Sequence, residues 1–384
     1  MTGPDTSELE HEFPSRARWR YLNHAAVSPW PTRTRRAIEA FAQANHQDGP
    51  DSFLDWLDNE RSLRARAARL LGAEEASEIS LIPNTSEGIC IVAHGLDWRA
   101  GDNVVLLADD FPSNQLPWHA LAARGVTCRP VDVLEADDPE QALLAAMDER
   151  TRVLAVSAVH WSSGLRLKLD PLGRACRSSG ILFFVDAIQQ FGALRIDVAR
   201  SQIDCLSAGG HKWQMAPEGL GLLYCRATWR SRLQPLKEGW RMFSRPFDFE
   251  AADRSIADGG QRFEPGTPNT LGQFALNASL SLQEDWGTDW IEAQVLAHAG
   301  RFYAGLAALP AVKVLSPAAP ERRSGIVSFC SERLAARDLV AALGKRRIIT
   351  APRGGGVRLS PHAYQESEMV NAVVESIAEI LKIT

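Results

Sequence analysis

Short apolar runs recur along this chain, separated by stretches whose apolar residues repeat at helical spacing. Runs at 78–82, 103–107, 126–131, 153–157, 181–185 and 203–207 are brief, rich in Val, Ile and Leu, and bounded by turn residues. Such runs read as buried strands of a mainly parallel sheet, because strands covered on both faces lose the polar alternation of exposed ones. Helices are expected over 32–47, 51–71, from 84 onward, 116–124 and 139–148, which sets up the strand–helix rhythm of an α/β fold. In 51–71 the residues Phe53, Trp56, Leu57, Leu63, Leu70 and Leu71 share a face opposite the arginines, so these aromatics are expected in the core. The run at 220–224 follows its predecessor too closely for a helical crossover and is expected to be antiparallel.

Beyond residue 229 the pattern weakens. Trp240, Phe243, Phe247 and Phe249 crowd there, which suits an interface or core edge better than a pocket. A long helical region follows at 271–308. Strands at 326–330 and 357–360 and a closing helix at 366–381 complete a smaller C-terminal α+β unit. The expected organisation is therefore an arm at 1–20, a large domain at 21–270 and a small domain at 271–384.

Composition changes this picture little. With 384 residues, 45% hydrophobic and 23% charged, the chain falls among globular proteins large enough for two domains. A net charge of −5 gives no footprint for nucleic acid. No apolar run reaches membrane-spanning length, and the polar start lacks a secretory signal, so a cytoplasmic location is expected. The six cysteines show no CxxC pair and no metal-ligand spacing. Cys90, Cys205 and Cys225 lie in apolar runs and are expected to be small core residues.

Candidate chemistry concentrates at 181–224. Asp186 closes one strand and Lys212 follows the next, and open α/β sheets bind ligands beyond the carboxyl ends of their strands. A carboxylate and a lysine brought together there suit pyridoxal 5'-phosphate (PLP), where lysine forms the Schiff base and aspartate partners the pyridine nitrogen. Asn84-Thr85-Ser86 opens a helix after a strand, a placement that suits a phosphate, but by the residues alone an ordinary N-cap is the better explanation. Tyr21-Leu22-Asn23-His24 is fixed by the prolines that follow it and either lines a site or packs as an arm. Gly354-Gly355-Gly356 lacks the strand–turn–helix context of a nucleotide loop, and the absence of an early GxGxxG argues against a nicotinamide-binding fold.

Taken in order, these segments resemble the class V aminotransferase branch of fold-type I PLP enzymes, which includes cysteine desulfurases, kynureninases and C–S lyases. Val185-Asp186-Ala187-Ile188-Gln189 followed by Gly210-His211-Lys212 carries the likeness most clearly. The resemblance implies Lys212 as covalent anchor and Cα base, Asp186 at the ring nitrogen, and Gln189 at the 3'-oxygen. Thr85, Ser86 and His211 would hold the phosphate, and Arg358 would hold the substrate carboxylate, with Asn23 as a further substrate contact. The loop at Thr267 would reach the neighbouring subunit's cofactor, implying a homodimer with shared sites. Phe111 stands where desulfurases carry a stacking histidine, Trp161 where an asparagine is common, and Gly209 where a phosphate-binding serine is common. No cysteine lies between Ile349 and Arg358, where the desulfurase thiolate belongs, so persulfide chemistry on the protein is not expected. The first expectation is an aminotransferase acting on an α-amino acid. A β-eliminating lyase, an epimerase and a non-catalytic scaffold are the alternatives, the intact Asp186, Gln189, His211 and Lys212 weighing against the last.

Overall fold

The computed structural model describes residues 3–382; the outermost two residues of the expected arm and of the expected C-terminal domain lie outside them. After a short strand β1 (Arg20–Tyr21) come the strands of the larger sheet. These are β2 (Ile79–Ile82), β3 (Asn103–Leu107), β4 (Thr127–Val131), β5 (Thr151–Ser157), β6 (Leu182–Asp186), β7 (Cys205–Gly209) and β8 (Gly221–Cys225). Their order is β2-β8-β7-β6-β5-β3-β4. Pairings from β7 to β4 are parallel, and β8 runs antiparallel to both its neighbours. The fold is the expected α/β arrangement, a mainly parallel sheet with one antiparallel strand.

The burial of this sheet follows its side-chain period of two. Phe183 and Val185 enter one core, whereas Leu182 and Phe184 enter the other, so helices cover both faces. Only β4, at the edge, is largely exposed, and it carries Pro130, whose missing N–H is tolerated where no further strand pairs.

The smaller sheet begins with β9 (Val312–Val314) and β10 (Val327–Ser331). A strand β11 (Ile348–Ile349) pairs parallel with β1, and β12 (Ala351–Arg353) and β13 (Gly356–Leu359) form a hairpin. The antiparallel order is β12-β13-β10-β9. Leu22 packs into the same core as Phe302, Val327, Phe329, Leu359 and Ile377, so the segment after β1 is built into this sheet's core.

Several elements differ from expectation. The region 271–308 is two helices, Thr270–Trp286 and Thr288–Ala307, separated at Gly287, whose φ of 80° interrupts helical geometry. A helix at Leu169–Ser179 was not anticipated; its Pro171 disguises it, yet that proline occupies the first turn, where an N–H has no intrahelical partner. The aromatics of 51–71 are not core residues throughout. Phe53 is 38% exposed and Trp56 half-buried, in an aromatic cluster with Phe41, Phe247 and Phe274 on the molecular surface. Cys205 and Cys225 are buried as expected, while Cys90 is only half-buried. Among the described residues no helix is long and apolar enough to cross a membrane.

Candidate active site

Parallel pairing sets the site. In register, Ser157 of β5 lies beside Asp186 of β6, and Asp186 lies beside Ser207 of β7. The three strand ends therefore open onto one edge, and Lys212 follows β7 after a tight loop held by the Gly210 N–H donating to the Leu220 carbonyl at 2.9 Å.

Asp186 is 3% exposed. One carboxylate oxygen accepts the Ile188 N–H at 3.0 Å, and no donor among the described residues bonds the other. Burial and the neighbouring Asp110 push Asp186 up to about 7, against the opposing pull of the Ile188 N–H and Lys212. Among the described residues no cation lies within ion-pair distance of this carboxylate, and a protonated ring nitrogen would supply one. Lys212 is affected in the opposite sense. Burial lowers it to about 8, with Asp186 raising it and the positive charges of Arg358 and Arg353 lowering it further. Buried groups with displaced titration, gathered at strand ends, mark a reactive site.

Phe111 stands over Lys212. Its ring centroid lies 5.6 Å from the Lys212 Nζ, and the ring is 43% exposed, leaving an open aromatic face. Trp161 meets Phe111 edge to face at 6.0 Å, and its Nε1 donates to the Asp109 carbonyl. The loop bearing Phe111 is fixed by Asp110, which sequence reading passed over. Its carboxylate accepts the Phe111 N–H, both the N–H and hydroxyl of Ser157, and the Asn114 amide. The signal was an acidic residue immediately before Phe-Pro-Ser-Asn, able to bond its own following N–H.

At the other end, the helix Thr85–Gly95 begins beside β7. The Gly209 N–H donates to the Thr85 Oγ1 at 2.9 Å, and Ser207 donates to the Thr85 carbonyl at 3.1 Å. Ser86 donates to Ser113 at 2.8 Å, tying the helix start to the Phe111 loop. A Cβ at Gly209 would stand 3.1 Å from the His211 Nδ1 and 3.3 Å from the Thr85 Oγ1. Glycine, standing here where a serine is common, thus widens the cleft between two groups suited to a phosphate, on both of which a Cβ would press. Gln189 is held by the Trp213 indole N–H at 2.9 Å and donates to the Ala25 carbonyl at 3.1 Å, which leaves its second amide hydrogen for a ligand.

The small sheet closes the site. Arg358 is 2% exposed and donates through Nη1 to the Trp161 carbonyl at 2.7 Å, while its Nε has no partner. No carboxylate among the described residues pairs with it, and burial, with Arg353 nearby, lowers it to about 10. Asn23 joins the Arg358 strand through a bridge to Ser360, and its buried Oδ1 is unpaired. Thr267 stands apart, exposed on a loop lining a cavity of about 300 Å³ with Glu87 and Lys237. Thus Asp186, Lys212, Gln189, Phe111, Trp161, Thr85, Ser86, His211 and Arg358 converge, and Thr267 does not meet them within this chain.

The donor set fits PLP: an uncompensated carboxylate, a buried amine, an open aromatic face and a hydroxyl-lined helix start. A sheet of this topology with that set defines a fold-type I PLP-dependent enzyme. The chain belongs to the class-V aminotransferase family, whose family model matches residues 20–368. It is 29% identical to a probable cysteine desulfurase of Methanothermobacter thermautotrophicus, over 98% of both chains. Among solved structures it resembles a variant of C-DES with glycine covalently linked to the PLP cofactor, at TM-score 0.90 and 27% identity over 98% of this chain and 99% of that one. It also resembles the cystine C–S lyase C-DES in complex with its product cysteine persulfide, at TM-score 0.89 and 27% identity over 96% and 99% of the two chains.

Proposed function

We propose that this protein is a PLP-dependent lyase that removes the Cα proton of an α-amino acid and expels a sulfur-bearing group from Cβ. The observation that carries this reading is a buried amine, Lys212, facing a buried guanidinium without a counter-ion, Arg358, under an aromatic ring that cannot exchange protons. PLP, when bound, supplies covalent capture of the substrate amine and an electron sink for the Cα–H bond.

The chain's own residues divide the remaining work. Arg358 holds the α-carboxylate through its free Nε edge, assisted by Asn23, and so orients the Cα–H bond toward Lys212. Lys212, lowered toward neutrality, accepts that proton at Nζ. Asp186 holds a proton on the ring nitrogen, and Gln189 donates to the 3'-oxygen. Thr85, Ser86 and His211 hold the phosphate at the start of the Thr85–Gly95 helix. Phe111 offers a stacking face. Because Phe111 replaces a proton donor, departure without protonation favours groups that leave as stable anions, such as a thiolate or persulfide.

The likeness to the cystine C–S lyase supports elimination, and the aminotransfer that the sequence alone put first is the competing reading. The test is product analysis of the PLP-loaded protein with cystine and cysteine conjugates. Release of pyruvate and ammonia, with no keto acid that retains the sulfur substituent, is expected. Amine transfer to an added keto acid would instead establish the aminotransferase, inversion at Cα without other products the epimerase, and failure to take up PLP the scaffold.

A homodimer is part of this proposal. Phe247 and Phe249 are 45% and 63% exposed beside Trp240, an apolar surface that suits a partner copy, and the Thr267 loop is free to reach across. All six cysteines are free thiols, which suits a reducing compartment such as the cytoplasm.

A further inference from the structure

Of the two arginines on the β12–β13 hairpin, Arg358 serves the α-carboxylate and Arg353 has no part in that task. In that hairpin Ala351 lies opposite Arg358, and Arg353 opposite Gly356. Opposed residues of an antiparallel pair, and residues two apart along a strand, project from the same face. Arg353 and Arg358 are therefore diagonal neighbours on one face, with Cα atoms roughly 7–8 Å apart by ordinary sheet geometry. Glycine spans the turn beyond Arg353. Gly354 has φ +54°, and a Cβ there would lie 2.7 Å from the Ser162 Cβ, so the tip packs on the residue after Trp161. Arg358 bonds the Trp161 carbonyl from the same hairpin. Both flanks of Arg353 are thus seated on 161–162, and Arg353 stands at the mouth of the site.

Its charge has no structural purpose there. Among the described residues no carboxylate pairs with Arg353, which is exposed and donates only to the adjacent Pro352 carbonyl at 2.8 Å. Its field reaches inward, because it disfavours protonation of both Lys212 and Arg358. Lys212, Arg353 and Arg358 together outnumber the one carboxylate that acts on Lys212, and Asp186 is committed to the ring nitrogen. An arginine that only disturbs two site cations is compensated when a ligand brings a second negative charge.

We infer that Arg353 is a specificity-determining residue that binds an anionic group at the end of the substrate's side chain, so that the substrate class is α-amino acids with acid-terminated side chains. This rests on the assignment of Arg358 to the α-carboxylate of a PLP-bound substrate. Arg358 grips one carboxylate and Arg353, diagonal to it, the second, with planar guanidinium forks suited to both.

The test uses unreactive probes on the PLP-loaded protein. Succinate and glutarate are compared with propionate and butyrate by titration calorimetry. At least about tenfold tighter binding of the dianions is expected, as for an added charge-assisted contact. Arg353→Gln should reduce that preference to within about threefold while monoanion affinity stays, and Arg353→Lys should retain part of it. Equal affinities for mono- and dianions, or a preference that survives Arg353→Gln, would overturn the assignment. Failure of the underlying reading looks different: a protein with no visible absorbance after PLP addition, or one whose monoanion binding survives Arg358→Gln, refutes the site itself.

Discussion

Arg358 of β13 donates through Nη1 to the main-chain carbonyl of Trp161, and this 2.7 Å bond fastens the smaller sheet over the end of the larger one. The acceptor is backbone, so it survives any change at the Trp161 side chain.

Arg358→Gln should raise KM for amino acid substrates by roughly 10- to 150-fold, the cost of a lost charged hydrogen bond of about 1.5–3 kcal/mol, with a smaller fall in kcat. Trp161→Phe should leave KM within about threefold, since the bond to the carbonyl persists. Steady-state kinetics of the two variants check the pair.

Covalent PLP uptake needs the neutral Lys212 amine, and that amine is lowered to about 8 mainly by burial. Uptake followed by visible absorbance should therefore rise with pH around a midpoint near 8. At neutral pH the unprotonated fraction exceeds that of an ordinary lysine by about 300-fold. Arg353→Gln should move the midpoint upward, because it removes a like charge. Lys212→Ala should bind PLP non-covalently and lose nearly all turnover.

Phe111→Ala removes the open aromatic face beside Lys212. The dissociation constant for PLP should rise roughly 2- to 12-fold, matching about 0.5–1.5 kcal/mol for an aromatic pair. Equilibrium dialysis checks this, and no change would place the ring outside the cofactor's reach.

Three histidines behind the site are held neutral by burial. His24 is pushed well below its usual range, and His298 and His362 down to about 4. The unfolded chain takes up these protons near 6.5, whereas in the folded protein His298 and His362 do so only near 4 and His24 well below its usual range. Their contribution is therefore complete above pH 6.5 and lost as pH falls from there toward 4. Denaturant midpoints across that window should drop steeply. His298→Leu should flatten the slope and add about 1–3 kcal/mol, because neither ring nitrogen of His298 has a partner.

The exposed aromatics give a separate test of assembly. Phe247→Glu combined with Phe249→Glu should convert a dimer to monomer in sedimentation, and lower PLP affinity if the Thr267 loop completes the partner's phosphate site. A dimer unchanged by both substitutions would put the interface elsewhere.

Local chemistry made much of this protein legible in its sequence. The two-sided burial of 181–185 required covered strands, and a strand buried on both faces has nowhere to deliver Asp186 except the sheet's edge. Lys212 followed by the same logic, because β7 is the parallel neighbour of β6. The helix at Leu169–Ser179 escaped because a first-turn proline reads as a break until its position in the turn is known. Phe53 and Trp56 escaped for another reason: helical spacing reports that one face is apolar, not whether this chain or another covers it. What only the tertiary structure decided are the encounters between distant segments. Asp110 gains its place from Ser157, Gly209 its close setting from Thr85 and His211, and Arg353 its position from the pairing that sets Ala351 opposite Arg358. Sequence fixes periodicity within an element, whereas register between elements and the charges left without partners emerge only when packing brings those elements together.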